Sequence, residues 1–477
     1  MRQRCAVFLL LVMPITVVLK ADERPNIVLM LADDQAWNGL SVAMHPDWPW
    51  SASKVIETPN LEKLAARGMR FSAAYAPAPV CSPTRISLQT GRTPAALHWT
   101  KAAPPEFGHR LLEPQNIREL DDSEVTVAEV LRRAGYVTAH LGKWHLGGGG
   151  PEQHGYDESD GDLGNEYAHQ YSDPNPADIF GMADRAVDFL ERQSTSGKPF
   201  FLQLSWHALH ASQNALRETL QKYSTRLQSS PDQKRVQSLA IAENLDSGVG
   251  QVLDAMDRLG LMRNSYVIYM SDNGRGGGGG GGGGGGRGGR AGGPGRAAGG
   301  GFGGGGRARV GLAGGKGSVR EGGIRCPFII CGPGISANSW CHERIVGYDL
   351  FPTFCDIAQV PEKDRPEVLE GGSFAGLLDD GEGTVKRPEE GLIFHFPHYQ
   401  GEEGPHSAMI RDDYKLLRFY EDNSVRLYDL VRDPGEQTDL AREMPELATR
   451  LELQLGASLL RVGALLPTIN PAFDSSR

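Results

Sequence analysis

The residues of this sequence that can do chemistry collect at the ends of apolar runs. Asn26 to Leu31 (NIVLML) leads into Asp33 and Asp34, and Tyr266 to Met270 leads into Asp272 and Asn273. Tyr136 to Leu141 is followed by Lys143 and His145, and Phe200 to Ser205 by His207 and His210. Four strand-like runs thus end in acids, amides or cations instead of bland turn residues. Asp33, Asp34, Asp272 and Asn273 together offer hard oxygen donors, which suit calcium or magnesium and not zinc. A lone Asp-Asn-Gly is ordinary turn chemistry. Two such pairs, each at a strand end, put a metal-ligand set on an equal footing with turns.

A second concentration is local. Cys81-Ser82-Pro83-Thr84-Arg85 reads as a helix start, with Ser82 as N-cap, Pro83 at the first helical position and Gly91 at the end. Cys81 would then lie just before a helix N-terminus, where backbone N–H groups and the dipole attract an anion. Arg85, one turn on, places a cation beside it. On these residues alone, a buried cysteine ahead of a capped helix accounts for the segment equally well.

The elements that must position these groups alternate. From Arg24 onward strand and helix patterns take turns, which predicts a mostly parallel sheet covered on both faces. In such a sheet ligands bind beyond the carboxyl ends of the strands. Thr58-Pro59 opens a helix that Gly68 closes, and Thr126 with Glu129 forms a capping box for another that stops at Gly135. After about residue 380 the texture changes. Short polar strands (Leu392 to Phe394, Tyr414 to Phe419, Val425 to Leu430) precede a last helix, Pro445 to Leu459. This divides the chain into a catalytic domain over 22–380 and a small antiparallel α+β subdomain over 381–477.

Composition narrows the classes. A net charge of -10 over 477 residues disfavours a nucleic-acid partner. The low-complexity stretch 275–309 holds six arginines and no acid. It cannot bury enough apolar surface to offset its ordering entropy, so a disordered, solvated insertion is expected. Arg2 and Arg4 before the apolar run Cys5 to Leu19, with Ala21 as the cleavage point, read as a signal peptide over 1–21. Export to a periplasm or the extracellular space follows, with an uncleaved anchor as the alternative. No later run approaches the roughly 20 apolar residues of a membrane span. Cys326, Cys331, Cys341 and Cys355 are an even set that could pair in an oxidising compartment, with connectivity unreadable.

C-S-P-T-R and the following L-Q-T-G-R resemble the first signature of the type I sulfatases, whose core is Cys-x-Pro-Ser/Thr-Arg. Gly135 to Thr138 through G-K-W-H-L-G at 142–147 resembles the second signature of that family. R-P-N-I-V-L-M-L-A-D-D at 24–34, S-D-N-G at 271–274, G-G-K-G-S-V-R-E-G-G-I-R at 314–325 and the tail block at 428–441 are similar to its remaining blocks, in the same order. The resemblance implies an α/β fold of the alkaline-phosphatase-like superfamily: a large mixed, mostly parallel sheet between helices, with a smaller C-terminal antiparallel subdomain. It also implies hydrolysis of sulfate monoesters, on sulfated glycans by analogy. A separate maturation enzyme would oxidise Cys81 to formylglycine. One oxygen of the hydrated aldehyde attacks sulfur, and the second hydroxyl then expels sulfate.

The same resemblance implies a calcium ion, with magnesium the lesser choice, held by Asp33, Asp34, Asp272, Asn273 and residue 81 itself. Arg85 and Lys143 would brace the nucleophile, and His145 would take the second diol proton. Lys316 and His210 would contact sulfate, one of them protonating the departing alcohol. Two departures stand out. The family usually shows His-x-Pro-His-x-Pro where this chain reads His207-Ala208-Leu209-His210-Ala211-Ser212, so the loop shape is open and His207 is an alternative to His210. The glycine-arginine run also separates Asn273 from Lys316, and a cationic loop there could gather sulfated polyanions. A phosphonate or phosphate ester hydrolase of the same superfamily and a silent glycan-binding relative are the rival readings. The substrate and the oligomeric state are not legible.

Overall fold

The computed structural model describes residues 23–210, 214–227, 232–275, 311–400 and 403–473. The expected signal peptide, almost all of the glycine-arginine run and the Ala211-Ser212 end of the histidine motif lie outside these residues.

Eight strands form the main sheet. Numbered in chain order they are β1 (Asn26–Ala32), β2 (Met69–Phe71), β3 (Val137–Gly142), β4 (Glu158–Ser159), β5 (Phe200–Ser205), β6 (Ser265–Ser271), β7 (Phe328–Cys331) and β8 (Ser339–Cys341). Their spatial order is β8-β2-β7-β6-β1-β5-β3-β4. β7 runs antiparallel to both neighbours, and the other pairs are parallel. Every residue of the central strand β1 is buried, as expected where helices cover both faces. Its side chains alternate between two cores. Val28, Met30 and Ala32 join the core built with helices α1 (Pro59–Arg67), α4 (Ile179–Gln193) and α5 (Gln233–Arg258). Ile27, Leu29 and Leu31 join the other, with α2 (Cys81–Thr90), α3 (Val127–Arg133) and α6 (Leu350–Ile357).

Register is what makes the site. Ser205 of β5 lies opposite both Leu31 of β1 and Gly142 of β3, and Ser271 of β6 lies opposite Ala32. The four central strands therefore end at one level, and the residues that follow them emerge side by side.

Helix α2 begins at Cys81, with Val80 as an extended N-cap, so Cys81 is the first helical residue and not the one before the helix. Ser82 does not cap. Its hydroxyl lies 3.2 Å from His145 Nδ1, while Thr84 Oγ1 closes the preceding turn by donating to Ala78 O at 3.1 Å. Gly91 ends the helix in the left-handed region, with φ 68. A Cβ there would stand 2.7 Å from the end of the Leu369 side chain, which would have to move, so the left-handed turn is the main reason for glycine. The capping box of Thr126 and Glu129 is present.

The C-terminal sheet is antiparallel, in the order β9 (Leu392–Phe396), β10 (His406–Arg411), β11 (Tyr414–Phe419) and β12 (Val425–Asp429). Sequence patterning predicts three of these strands and misses β10, whose polar start, His406 and Ser407, is buried all the same. One face of this sheet packs on α7 (Pro445–Arg461), and the other on Tyr75, Val80, Val319 and Ile324 from the part of the chain that builds the main sheet. Cys326, Cys331, Cys341 and Cys355 are buried free thiols, so the pairing considered from sequence is not realised. They fill core positions as small apolar groups. Among the described residues no helix is long and apolar enough to cross a membrane.

Candidate active site

Beyond the ends of β1 and β6, Asp33, Asp34 and Asp272 converge with Cys81, each offering a ligand atom within 4.8 Å of the others. Cys81 Sγ lies 3.5 Å from Asp33 Oδ1 and 3.2 Å from Lys316 Nζ. Arg85, one turn into α2, donates to Asp272 Oδ2 through Nε and Nη2 at 3.2 and 2.8 Å, and through Nη1 to Lys143 O at 2.6 Å. Lys143 pairs with Asp33, and neither side chain is exposed. Lys316 pairs with Asp34 Oδ1 at 2.8 Å. Asn273 Nδ2 donates to the same oxygen at 2.7 Å, while its Oδ1 is buried with no partner among the described residues.

Two members have unusual backbone. Asp34 (φ 63) and His145 (φ 62) both sit in the left-handed region, which costs a non-glycine residue energy and occurs preferentially at functional sites. The turn at Asp34 is held by its N–H donating to Asp272 Oδ1 at 3.2 Å. His145 has Ser82 at Nδ1 and Asn165 Nδ2 at 3.5 Å from Nε2. Nothing in the sequence marks Asn165, which enters only through the fold of the loop after β4.

The loop carrying His207 and His210 keeps a defined shape without prolines. Asp33 N–H donates to Ala208 O at 2.9 Å, and Leu209 N–H donates back to Asp33 O at 2.6 Å. Both histidines are thereby docked beside the carboxylates, each with a buried Nδ1 that has no partner among the described residues. Lys316 is brought in from the far side of the 276–310 segment. Its N–H donates to Arg275 O at 2.8 Å, Arg275 N–H to Gly322 O at 3.1 Å, and Gly274 N–H to Gly323 O at 2.8 Å. The two ends of that segment are therefore stitched together beside the site.

Electrostatics follow from this packing. Burial works against the charge of Asp33, but Lys143, His210, Lys316 and Arg85 outweigh it and hold the carboxyl well below its ordinary value. Burial and the neighbouring Asp33 raise Asp272. The Cys81 thiol is pushed up to about 12, by burial first and Asp33 second. Lys316 is held well above its ordinary value because Cys81, Asp34 and Asp33 overcome its burial. Burial, followed by Lys143, brings His145 down to about 2 and His207 to about 3, and burial brings His210 to about 4. The result is a water-poor floor of three carboxylates and three cations, edged by neutral imidazoles.

The family model for sulfatases matches residues 25–360, and the model for the C-terminal part of N-sulphoglucosamine sulphohydrolase matches residues 315–461. Human arylsulfatase A is 29% identical over an alignment that covers 90% of this chain and 87% of its own. Among solved structures, Ps i-CgsB in complex with k-i-k-neocarrahexaose superposes with a TM-score of 0.71 at 21% identity, covering 95% of this chain and 96% of that one. BT4656 in complex with its substrate D-glucosamine-2-N,6-O-disulfate gives 0.65 at 19% identity, covering 92% and 98%. The two structural likenesses establish a common fold. The chain belongs to the sulfatase family, the type I sulfatases of the alkaline-phosphatase-like superfamily, and is accordingly an enzyme that hydrolyses sulfate esters.

Proposed function

We propose that this sulfatase is an exported enzyme acting on sulfated glycans, with formylglycine made from Cys81 as nucleophile and calcium as its metal. The observation that carries the reading is the convergence on residue 81: Cys81 Sγ lies 3.5 Å from Asp33 Oδ1 and 3.2 Å from Lys316 Nζ, in one cluster with Asp34 and Asp272, at the start of a helix whose Arg85 is bonded into the same cluster. As the hydrated aldehyde, residue 81 supplies one oxygen to attack sulfur and a second hydroxyl to release sulfate.

The residues present fit a calcium ion. Asp33, Asp34 and Asp272 are hard oxygen donors facing one point, and Asn273, whose amide lies against Asp34, has a carbonyl oxygen with no partner among the described residues and could supply a fourth. When bound, the ion would polarise a sulfate oxygen and favour the ionised diol. Three carboxylates already balance Arg85, Lys143 and Lys316. A divalent cation would therefore leave the pocket in positive excess, suited to one ester anion and one ionised nucleophile.

The chain's own groups take the other roles. Arg85 fixes Asp272 and the start of α2, so that residue 81 faces the carboxylates. Lys143 holds Asp33 ionised from beneath. His145, neutral and bonded to Ser82, is the base for the second diol proton. Lys316 keeps its proton and offers charge to the sulfate oxygens, and His210, with His207 as the alternative, is the imidazole placed to meet the ester. Support for a glycan substrate is the sugar sulfate bound by BT4656 and the sulphohydrolase match over residues 315–461.

The test is to weigh the proteolytic peptide containing residue 81 from protein made in its native host, and to assay sulfate release from sugar sulfates. An aldehyde mass with chelator-sensitive sulfate release is expected. An unmodified thiol in fully active protein would overturn the nucleophile assignment. A mature N-terminus that still carries residues 1–21 would overturn export by cleavage.

A further inference from the structure

The loop between β9 and β10 reaches the active site from the C-terminal sheet. Gln400 on that loop lies against Gly317, the residue after Lys316. Its Cγ, Cδ and Nε2 stand 3.0 to 3.2 Å from where a Cβ on Gly317 would be. Gly317 in turn donates its N–H to Pro79 O at 2.9 Å, two residues before Cys81. The carboxamide therefore sits over the backbone that joins the sulfate-side lysine to the nucleophile. It is half-buried, and among the described residues it has no hydrogen-bond partner.

The backbone leading to Gln400 is anchored at unusual cost. Lys101 Nζ donates to Tyr399 O at 2.9 Å, and Tyr399 N–H donates to Glu113 Oε1 at 3.0 Å. Lys101 and Glu113 pair at 3.0 Å. His398 bridges Glu113 Oε2 at 2.9 Å and Thr100 Oγ1 at 2.7 Å. The side chains of Lys101, Glu113 and His398 are at most 1% exposed. Burying such charges gains little net stability, and their best-attested use is to fix a geometry. What this cluster fixes is the position of residues 398–400 beside Lys316.

We propose that Gln400 is a specificity-determining residue: its carboxamide hydrogen-bonds a hydroxyl or amide substituent of the sugar ring that carries the scissile sulfate. Lys101, Glu113 and His398 are the positioning residues that hold it there. The inference rests on the glycan reading above. A carboxamide offers both a donor and an acceptor, so it suits a sugar. A flat aryl sulfate gives it nothing to bind. A site group aimed at a substrate hydroxyl discriminates strongly, because an analogue without the hydroxyl leaves that group unpaired.

The experiment compares kcat/KM on 4-nitrophenyl sulfate with kcat/KM on a panel of 4-O- and 6-O-sulfated hexosamines that includes D-glucosamine-2-N,6-O-disulfate. It uses protein whose residue-81 peptide has been weighed, as wild type, Gln400→Ala and Gln400→Met; methionine keeps the bulk and removes the hydrogen bonds. The ratio of sugar to aryl efficiency should fall about tenfold in both variants, mainly through KM, as loss of one well-placed hydrogen bond predicts. An unchanged ratio in the variants, or a loss shared equally by both substrate types, would overturn the role of Gln400 and leave the glycan reading standing. If wild type cleaves none of the sugars, the glycan reading fails and the inference with it.

Discussion

Two buried clusters of charge do opposite things in this molecule. The first, where the C-terminal sheet meets the part of the chain that builds the main one, joins Glu321 to Arg325 at 2.7 Å and to Lys415 at 3.0 Å, with Glu436 on Lys415 at 3.1 Å. The second is the floor of the active site. Both are charge-balanced and largely buried, although at the active site Lys316 and Asp34 reach solvent. The first cluster is closed by its ion pairs: each carboxylate meets a cation, and Glu436 Oε2 also accepts Glu321 N–H at 2.9 Å, although Glu436 is left-handed (φ 52) and its Oε1 has only the ion pair with Lys415. The active-site cluster is open, with orphaned atoms on Asn273, His207 and His210 and left-handed backbone at Asp34 and His145. Buried charge therefore does not mark a catalytic site by itself. What differs is the concentration of unspent hydrogen-bonding capacity and strained backbone: among the described residues the active site gathers unpartnered atoms on three residues and left-handed backbone at two, whereas the first cluster has one of each, both on Glu436.

That contrast can be broken by mutation. The largest effect is expected at Cys81→Ala, which should lower kcat/KM on 4-nitrophenyl sulfate by at least about 10⁴-fold and leave the thermal midpoint near that of wild type. Retained turnover would remove residue 81 from the chemistry. Next is Lys415→Met in the closed cluster. It strands the Glu436 carboxylate and should destabilise by about 3–5 kcal/mol, read as a lower denaturant midpoint, with the kinetics of the folded enzyme preserved. If activity falls and the midpoint holds, the distinction between the clusters is wrong. Lys316→Ala should do the reverse, costing about 10²-fold in kcat/KM with little change in midpoint, because it removes a cation aimed at the sulfate. The smallest expected effect is Thr126→Ala, about 1 kcal/mol for a lost capping box well away from both clusters, with unaltered kinetics.

Chelation sharpens the same comparison in the wild type. Removing a divalent ion should abolish turnover and lower the unfolding midpoint, since any ligand bound only by the native state stabilises it. Calcium should restore both. A midpoint unmoved by chelator and by added calcium would speak against a bound ion at the four oxygen donors.

How much of this was legible in the sequence differs between the clusters too. The strands under the active site announce themselves because they are continuous apolar runs ending in polar pairs, and a parallel register leaves those ends level. Lys415, Glu436 and Glu321 lie in segments that the sequence does single out, the strand Tyr414 to Phe419 and the blocks 428–441 and 314–325, but nothing in those segments marks the three as partners, and their meeting depends on how the C-terminal sheet packs against the main one. The start of α2 was misplaced by two residues because Ser82 looks like an ideal cap; only the fold shows that His145 claims its hydroxyl. Strand β10 escaped because alternation fails where both faces of a strand are covered. Gln400 and Asn165 are single polar residues in loops, indistinguishable by sequence from solvated ones.

The stitching of residues 274–275 to 316–323 has a consequence for engineering. Because backbone hydrogen bonds fasten residues 274–275 to 316–323 independently of what joins them, and closure entropy grows only slowly with length, these two ends are expected to tolerate replacement of the chain between them. Another polypeptide, such as a fluorescent reporter or a sugar-binding module, can be spliced in there without disturbing the frame. It would emerge beside the catalytic pocket rather than at a distant terminus.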